Sequence, residues 1–145
     1  MHVVCYYLFK AWKWNEGSTG KTGNAGVLAH YVPFLLCFVS MAAYGNYLWV
    51  TDEALASESF DRIWGYHDGG FVILVSMLAV QLYDIPVSLA VPELRVASFL
   101  LHHMAVLYLT LMGLKYQCFY YYAVYFLGVI ETSSPFLTAV DAFRD

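Results

Sequence analysis

The sequence predicts an all-α, polytopic transmembrane helix bundle with about four full spans and a partial N-terminal helix. Of its 145 residues, 61% are hydrophobic and 12% are charged, whereas about a quarter of the residues in soluble domains are charged. The ionisable residues are grouped between apolar stretches, each close to the ~20 residues that a helix needs to cross a bilayer. A water-soluble fold of this length could not bury so much apolar surface.

The N-terminal stretch from Met1 to Phe9 is apolar but too short to span. It lacks the basic leader and small-residue cleavage site of a signal peptide. Two interpretations fit: the last turns of a membrane helix, or an interfacial segment. In either case Trp12 and Trp14, with Lys10 and Lys13, would anchor the segment at the headgroups.

Four longer apolar stretches follow. Trp49 closes the first as an interfacial anchor, and a polar loop then precedes the second. Only a short connection around Pro92 separates the second from the third, which predicts an antiparallel helical hairpin. The predicted spans are 25–50, 71–91, 96–113 and 117–140.

Basic residues divide unequally between the two sides that these spans define, with only Arg62 and Lys115 on one side. By the positive-inside rule, the richer side should face the cytosol, or the stroma or matrix of an organelle. That side carries Lys10, Lys13, Lys21, Arg95 and Arg144.

Several functional classes are excluded. The net charge of −4 leaves no basic patch for nucleic acid. Cys5, Cys37 and Cys118 are isolated, so neither a disulfide framework nor a metal site is indicated. The segment 17–23 ends like a phosphate-binding loop, but Asn15 stands where the first glycine is required and no strand precedes it.

Ionisable residues inside the spans fall at one depth. Charged groups near the centre of a membrane helix cost roughly 2.5–3.5 kcal/mol each, so they need partners. At 1.5 Å rise per residue, Asp84, Glu131, His102 and His103 all lie about 10 Å from the basic side, and His30 about 8 Å. We therefore expect carboxyl and imidazole groups from four helices to meet.

Helical spacing indicates which faces are polar. Residues at i, i+3 and i+7 lie on one narrow face, and a polar stripe on an apolar membrane helix predicts an interior cavity. His102 and His103 are about 100° apart, so only one points to the cavity centre, and the spacing leaves the choice open. One polar stripe is Gln81, Asp84 and Ser88, and the other is Glu131, Ser134 and Thr138. The residues predicted to line a lipid cavity are His30, Gln81, Ser88, Ser134 and Thr138.

Prolines lie beside these groups. A proline in a membrane helix leaves the carbonyl four residues earlier without its donor. Pro135 therefore frees the carbonyl of Glu131, and Pro33 frees that of Ala29, next to His30. We expect helix distortions at these points.

These motifs together resemble the TLC-domain family, which includes ceramide synthases, proteins associated with the translocating-chain machinery, and proteins of lipid homeostasis. The resemblance covers about residues 25–145, and the motifs occur in the family's order. They are His30, the segment 61–65 (Asp-Arg-Ile-Trp-Gly), Tyr83-Asp84, 92–95 (Pro-Glu-Leu-Arg), 101–105 (Leu-His-His-Met-Ala) and 131–136 (Glu-Thr-Ser-Ser-Pro-Phe).

The resemblance implies a function. In ceramide synthases the adjacent histidines act in acyl transfer from acyl-CoA to an amine, which implies His102 and His103 as general base or acyl-accepting nucleophile. Asp84 and Glu131 would orient the imidazoles. Acyl-CoA would be a substrate, with no cofactor, and the implied location is the endoplasmic reticulum or another organelle membrane.

The chain also departs from the family. Ceramide synthases carry paired aspartates where this chain has Glu131 followed by Thr-Ser-Ser-Pro-Phe, and the family's domain usually continues beyond this segment. We therefore expect a partial helix and loop in 1–24 and an incomplete TLC-like domain in 25–145. Two functions fit: a protein that binds a membrane lipid or acyl chain, with acyl transfer as its candidate reaction, or a non-catalytic accessory subunit completed by other membrane subunits.

Overall fold

The computed structural model describes residues 1–12 and 25–143, and side chains up to residue 140. In this part of the chain, helices are joined by turns, and four helical stretches are long and apolar enough to cross a membrane. They are Ala25–Thr51, Asp68–Ala90, Ala97–Tyr116 and Tyr120–Val140. The predicted all-α polytopic bundle is confirmed. The predicted anchors Lys13 and Trp14, the segment 17–23, Lys21 and Arg144 lie outside the described residues.

Helix α1 (His2–Ala11) packs along α2 (Ala25–Thr51). Nδ1 of His2 lies 3.1 Å from the hydroxyl of Tyr83, a residue deep inside the second span. Helix α1 therefore reaches membrane depth at its first turn.

A hydrogen-bonded loop joins α2 to the second span, α4 (Asp68–Ala90), through the short helix α3 (Glu53–Ala56). The side chain of His67 caps α4, since its Nδ1 accepts the N–H of Gly70 at 3.0 Å. Its Nε2 lies 2.9 Å from Oδ2 of Asp52, the residue that caps α3. Because Asp52 directly follows α2, these contacts connect the end of the first span to the start of the second.

The predicted helical hairpin is present. A 3-10 turn, Pro92–Leu94, joins α4 to α5 (Ala97–Tyr116). The guanidinium of Arg95 donates to the carbonyl of Leu89 at 2.6 Å, which satisfies a carbonyl at the end of α4. The connection is therefore short and fixed.

The fourth span begins at Tyr120, three residues later than the sequence predicted. Gln117, with φ of 51°, ends the third span in a left-handed backbone conformation, and Phe119, with φ of 65°, directly precedes the fourth span in another. The N–H of Phe119 donates to the carbonyl of Ile63 at 2.7 Å. This bond holds the polar loop after α3 against the turn between the third and fourth spans.

Inside the fourth span the helix changes type. Helix α6 (Tyr120–Val124) leads into a π turn (Tyr125–Val129), a 3-10 turn (Ile130–Ser133) and α7 (Ser134–Phe143). Pro135 has no N–H to offer Glu131, so the distortion expected beside this proline is observed. Pro33 and Pro86, in contrast, lie within continuous α-helices.

Two glycines allow α2 and the fourth span to pack at backbone distance. A Cβ built on Gly128 would lie 2.8 Å from Cα of Gly45. Small residues at such crossings are typical of membrane helices, whose association depends on close packing. This contact brings the Glu131 segment against α2.

Helix α5 packs along α4, but its backbone makes no extended contact with the fourth span within the described residues. A strip between α5 and the fourth span, here called the seam, is therefore lined by side chains alone. His102 and Val106 lie on its α5 side, and Phe126, Leu127 and Thr138 on the other.

Candidate functional site

Asp84 lies between two imidazoles inside the bundle. Its Oδ1 is 3.1 Å from Nε2 of His30, and its Oδ2 is 2.9 Å from Nδ1 of His103. The exposed fractions are 0% for Asp84, 1% for His30 and 5% for His103. Three spans thus contribute one group each, at the common depth predicted from the sequence.

Gln81 is the fourth member of this cluster. Its Oε1 lies 2.7 Å from Nδ1 of His103, and its amide nitrogen donates to the sulfur of Met77 at 3.2 Å. Gln81 and Asp84 share one face of α4, as their spacing predicted. His103, whose orientation the sequence left open, is the histidine that faces α4.

Two buried atoms of the cluster have no hydrogen-bond partner among the described residues. They are Oδ2 of Asp84, which His103 approaches outside hydrogen-bonding geometry, and Nδ1 of His30. Ser88, which was predicted to line a lipid cavity, is fully buried and donates to Oδ1 of Asp84 at 3.4 Å. Ser88 therefore packs against Asp84 and does not line the cavity between α4, α5 and the fourth span.

A cavity of about 210 Å³, here called the central cavity, lies where α4, α5 and the fourth span approach one another. Its walls combine polar groups with aromatic and aliphatic side chains. The polar residues are Gln81, His102, His103, Glu131, Ser134 and Thr138; the others are Phe34, Phe38, Met77, Phe99, Val106 and Leu137. The other five polar residues lie on α5 and on the fourth span, so tertiary packing brings them to Gln81 on α4.

His102 has a different environment from its neighbour. It is exposed, and its ring stands at 88° to that of His103, with centroids 5.4 Å apart. It also lines a second cavity of about 510 Å³, here called the basic-end cavity, together with His30, Glu93 and Ser98. His103 is thus held by α4, while His102 faces open space.

Glu131 reaches the central cavity from the 3-10 turn of the fourth span. Its carboxylate accepts a hydrogen bond from the hydroxyl of Ser134, three residues later. It makes no ion pair with a described residue. The sequence predicted that Glu131, Ser134 and Thr138 share a face, and all three line the central cavity.

Further cavities lie on either side. One of about 360 Å³, here called the apolar cavity, continues the seam away from the basic end and is lined by Leu109, Gly113 and Phe126 among others. Another, of about 520 Å³, lies between α1, α2 and α4, beside His2 and Tyr83. Val106 borders both the central and the apolar cavity.

Two aromatic residues of the site were not predicted to be part of it. The ring of Tyr83 stacks on His30, with centroids 5.8 Å apart and planes at 17°. Phe99 covers His103 with a centroid distance of 4.0 Å. Phe99 lies four residues before His103 on one helix, so helical spacing contains this signal; the contact of Tyr83 depends on tertiary packing.

The segment 61–65, quoted above among the family motifs, lies outside this cluster, in the loop before α4. Oδ1 of Asp61 accepts the N–H groups of Ile63 and Trp64, each at 2.9 Å. These backbone bonds stabilise the carboxylate, and they hold the pKa of Asp61 below its usual range. The motif is therefore a turn that shapes the loop.

The family model of the TLC domain matches residues 27–144. The chain belongs to the TLC-domain family. No curated protein matches the chain, and no solved structure does.

The match to the TLC domain includes every residue predicted to form the site, from His30 to Thr138. The chain is accordingly an integral membrane protein of a lipid-associated family. Within the described part of this TLC domain, no group of three or more His, Cys, Asp or Glu residues is arranged to hold a metal ion.

Proposed function

We propose that this TLC-domain protein binds a membrane lipid, with the lipid's polar group in the central cavity and an acyl chain along the seam. One observation carries the proposal: six polar side chains converge on one cavity inside a bundle of predominantly apolar helices. Polar residues at membrane depth are costly unless they pair with each other or with a ligand. An amphipathic lipid matches both the polar groups and the apolar walls.

Charge supports the same ligand class. Among the residues that the structure describes, the carboxylate of Glu131 has only the hydroxyl of Ser134 as a side-chain partner, and His102 is exposed. A hydroxyl, amide or amine of a lipid could donate to the carboxylate of Glu131, and an ester or hydroxyl oxygen could accept from an imidazole N–H. Phe99, Leu137 and Val106 would then surround the first carbons of the chain.

Acyl transfer is the candidate reaction, favoured by the open position of His102 beside the fixed His103. In this reaction the nitrogen of an amine attacks the thioester carbonyl of an acyl-CoA, and the new C–N bond forms as the C–S bond breaks. An imidazole nitrogen takes the proton that the amine loses and returns it to the leaving thiolate. Location in the endoplasmic reticulum or another organelle, with the basic end in the cytosol, would suit delivery of acyl-CoA.

Lipid binding is tested by mass spectrometry of the protein purified in mild detergent. Hydrogen bonds to charged groups contribute about 1.5–3 kcal/mol, so His102→Ala and Glu131→Gln should each retain at least about tenfold less lipid than the wild type. Thr51→Ala is a matched control, because this exposed hydroxyl at the end of α2 donates to a carbonyl of its own helix, at Tyr47.

Unchanged lipid content in both cavity variants would overturn the proposal, as would a wild-type protein that carries no lipid but retains partner subunits. That second result would favour the accessory-subunit alternative. For acyl transfer, labelled acyl-CoA and a panel of lipid amines should give a product that His103→Ala abolishes. No product across the panel would exclude this reaction.

A further inference from the structure

We infer that Gln81, rather than Asp84, is the residue that positions His103, by holding its proton on Nδ1 and leaving Nε2 bare toward the cavity. The inference rests on the proposed function, for which it names a positioning residue. The sequence predicted that Gln81 lines the cavity, and the family resemblance implied that Asp84 and Glu131 orient the imidazoles. The contacts around Nδ1 of His103 distribute these roles differently.

The tautomer of His103 follows from two oxygen atoms. Oε1 of Gln81 lies 2.7 Å from Nδ1, and Oδ2 of Asp84 lies 2.9 Å from the same nitrogen. Both atoms are acceptors, so a bare nitrogen there would face two lone pairs at close range. Nδ1 therefore carries the hydrogen.

The orientation of the Gln81 amide is determined by its other end. The nitrogen of the amide donates to the sulfur of Met77 at 3.2 Å. Reversing the amide would place its carbonyl oxygen against the sulfur, which has no hydrogen to donate, and its NH₂ against the N–H of His103. Met77 thus keeps Oε1 directed at the imidazole.

Oε1 of Gln81 has hydrogen-bonding geometry to Nδ1 of His103, whereas Oδ2 of Asp84 has no hydrogen-bond partner among the described residues. The amide therefore fixes the ring, and the carboxylate acts on it through charge. His30 approaches the other oxygen of Asp84 at 3.1 Å, so the carboxylate faces two imidazoles at once.

This division of roles has a chemical purpose. With Nδ1–H turned to α4, Nε2 is the nitrogen available for a proton from a substrate in the central cavity. When Nε2 takes that proton, the ring becomes positive 2.9 Å from the carboxylate oxygen of Asp84, which stabilises the charge. Gln81 acts through His103 and is a positioning residue.

The test is nitrogen NMR of ¹⁵N-histidine-labelled protein in lipid nanodiscs, without added ligand, with His103 assigned through a His103→Gln sample. Wild-type His103 should show the Nδ1–H tautomer. Gln81→Met, which keeps the length but removes the acceptor, should shift the Nδ1–H resonance. Gln81→Glu, which restores an oxygen at that position, should return a hydrogen-bonded Nδ1–H.

Asp84→Asn should leave the tautomer unchanged, because Gln81 still accepts the hydrogen. The inference is overturned if wild-type His103 carries its hydrogen on Nε2, or if Asp84→Asn moves the Nδ1–H resonance while Gln81→Met does not. The helical circular dichroism spectrum of each variant verifies the fold. Since no lipid is measured, failure here is distinct from failure of lipid binding.

Discussion

Nε2 of His30, near the start of α2, lies 3.1 Å from Oδ1 of Asp84, near the end of α4. Both side chains are inaccessible to solvent, so this pair joins the first and second spans at one depth. Tyr83 stacks on the outer face of the same imidazole. The pair is thus a packing contact and an electrostatic contact together.

Removing the carboxylate should destabilise the bundle. Asp84→Ala leaves the buried imidazole of His30 without the carboxylate that faces its Nε2, and a buried polar group left without its partner costs about 1–3 kcal/mol. Reversible unfolding in mixed micelles measures the change. Glu58→Gln, an exposed carboxylate in the loop before α4, is the control and should change the free energy of unfolding little. A loss below 1 kcal/mol for Asp84→Ala would contradict this account.

A methyl group at the glycine crossing should separate two spans. In Gly45→Ala, the added Cβ meets the backbone of Gly128, which has no flexible side chain to move away. Overpacking of this kind costs about 1–3 kcal/mol. Ala43→Val, on an exposed face of the same helix, adds more volume and should cost less. If the two variants are equally stable in the same unfolding assay, the backbones of Gly45 and Gly128 are not in the close contact described above.

The carboxyl of Asp52 should titrate below the usual aspartate range. The hydrogen bond with His67 is the main cause, and the N–H of Ala54 adds to it; both lower the pKa of Asp52. Since folding lowers this pKa, the contribution to stability is present above the unfolded-state value, about 3.9, and is lost as the pH falls through the lower folded-state value.

His67→Asn tests this directly, because asparagine can still cap α4 but is too short to reach Asp52. The pKa of Asp52, measured by carbon NMR of labelled aspartate, should rise toward its ordinary value. Asp61 is an internal control: its pKa is lowered by the N–H groups of Trp64 and Ile63 and should not move. If both carboxyls shift together, the change reflects the whole loop.

Pro135→Ala should regularise the fourth span. The new N–H can donate to the carbonyl of Glu131, which favours an α-helix where the 3-10 turn now lies. Glu131 would then rotate relative to the central cavity, and retained lipid should fall about as far as in Glu131→Gln. Protection of the new amide against hydrogen exchange reports the helix. If the new amide is protected and the lipid is fully retained, the 3-10 turn is not required for lipid binding.

Much of this arrangement follows from periodicity and depth. The rise of a helix places Asp84 and His103 at one level, and the spacing of Gln81 and Asp84 puts them on one face. The choice between His102 and His103 could not be made, because it depends on which face of α5 packs on α4. Periodicity alone also did not predict the left-handed residues Gln117 and Phe119, which delay the fourth span.

For the proposed lipid ligand, the seam between α5 and the fourth span would determine the route of exchange. Because the seam lies between two helices that are long and apolar enough to cross a membrane, the lipid would enter it by lateral diffusion within a leaflet. Occupancy would then follow the mole fraction of that lipid in the bilayer, not its concentration in water. A membrane that changes its composition would load or empty the protein without any soluble messenger.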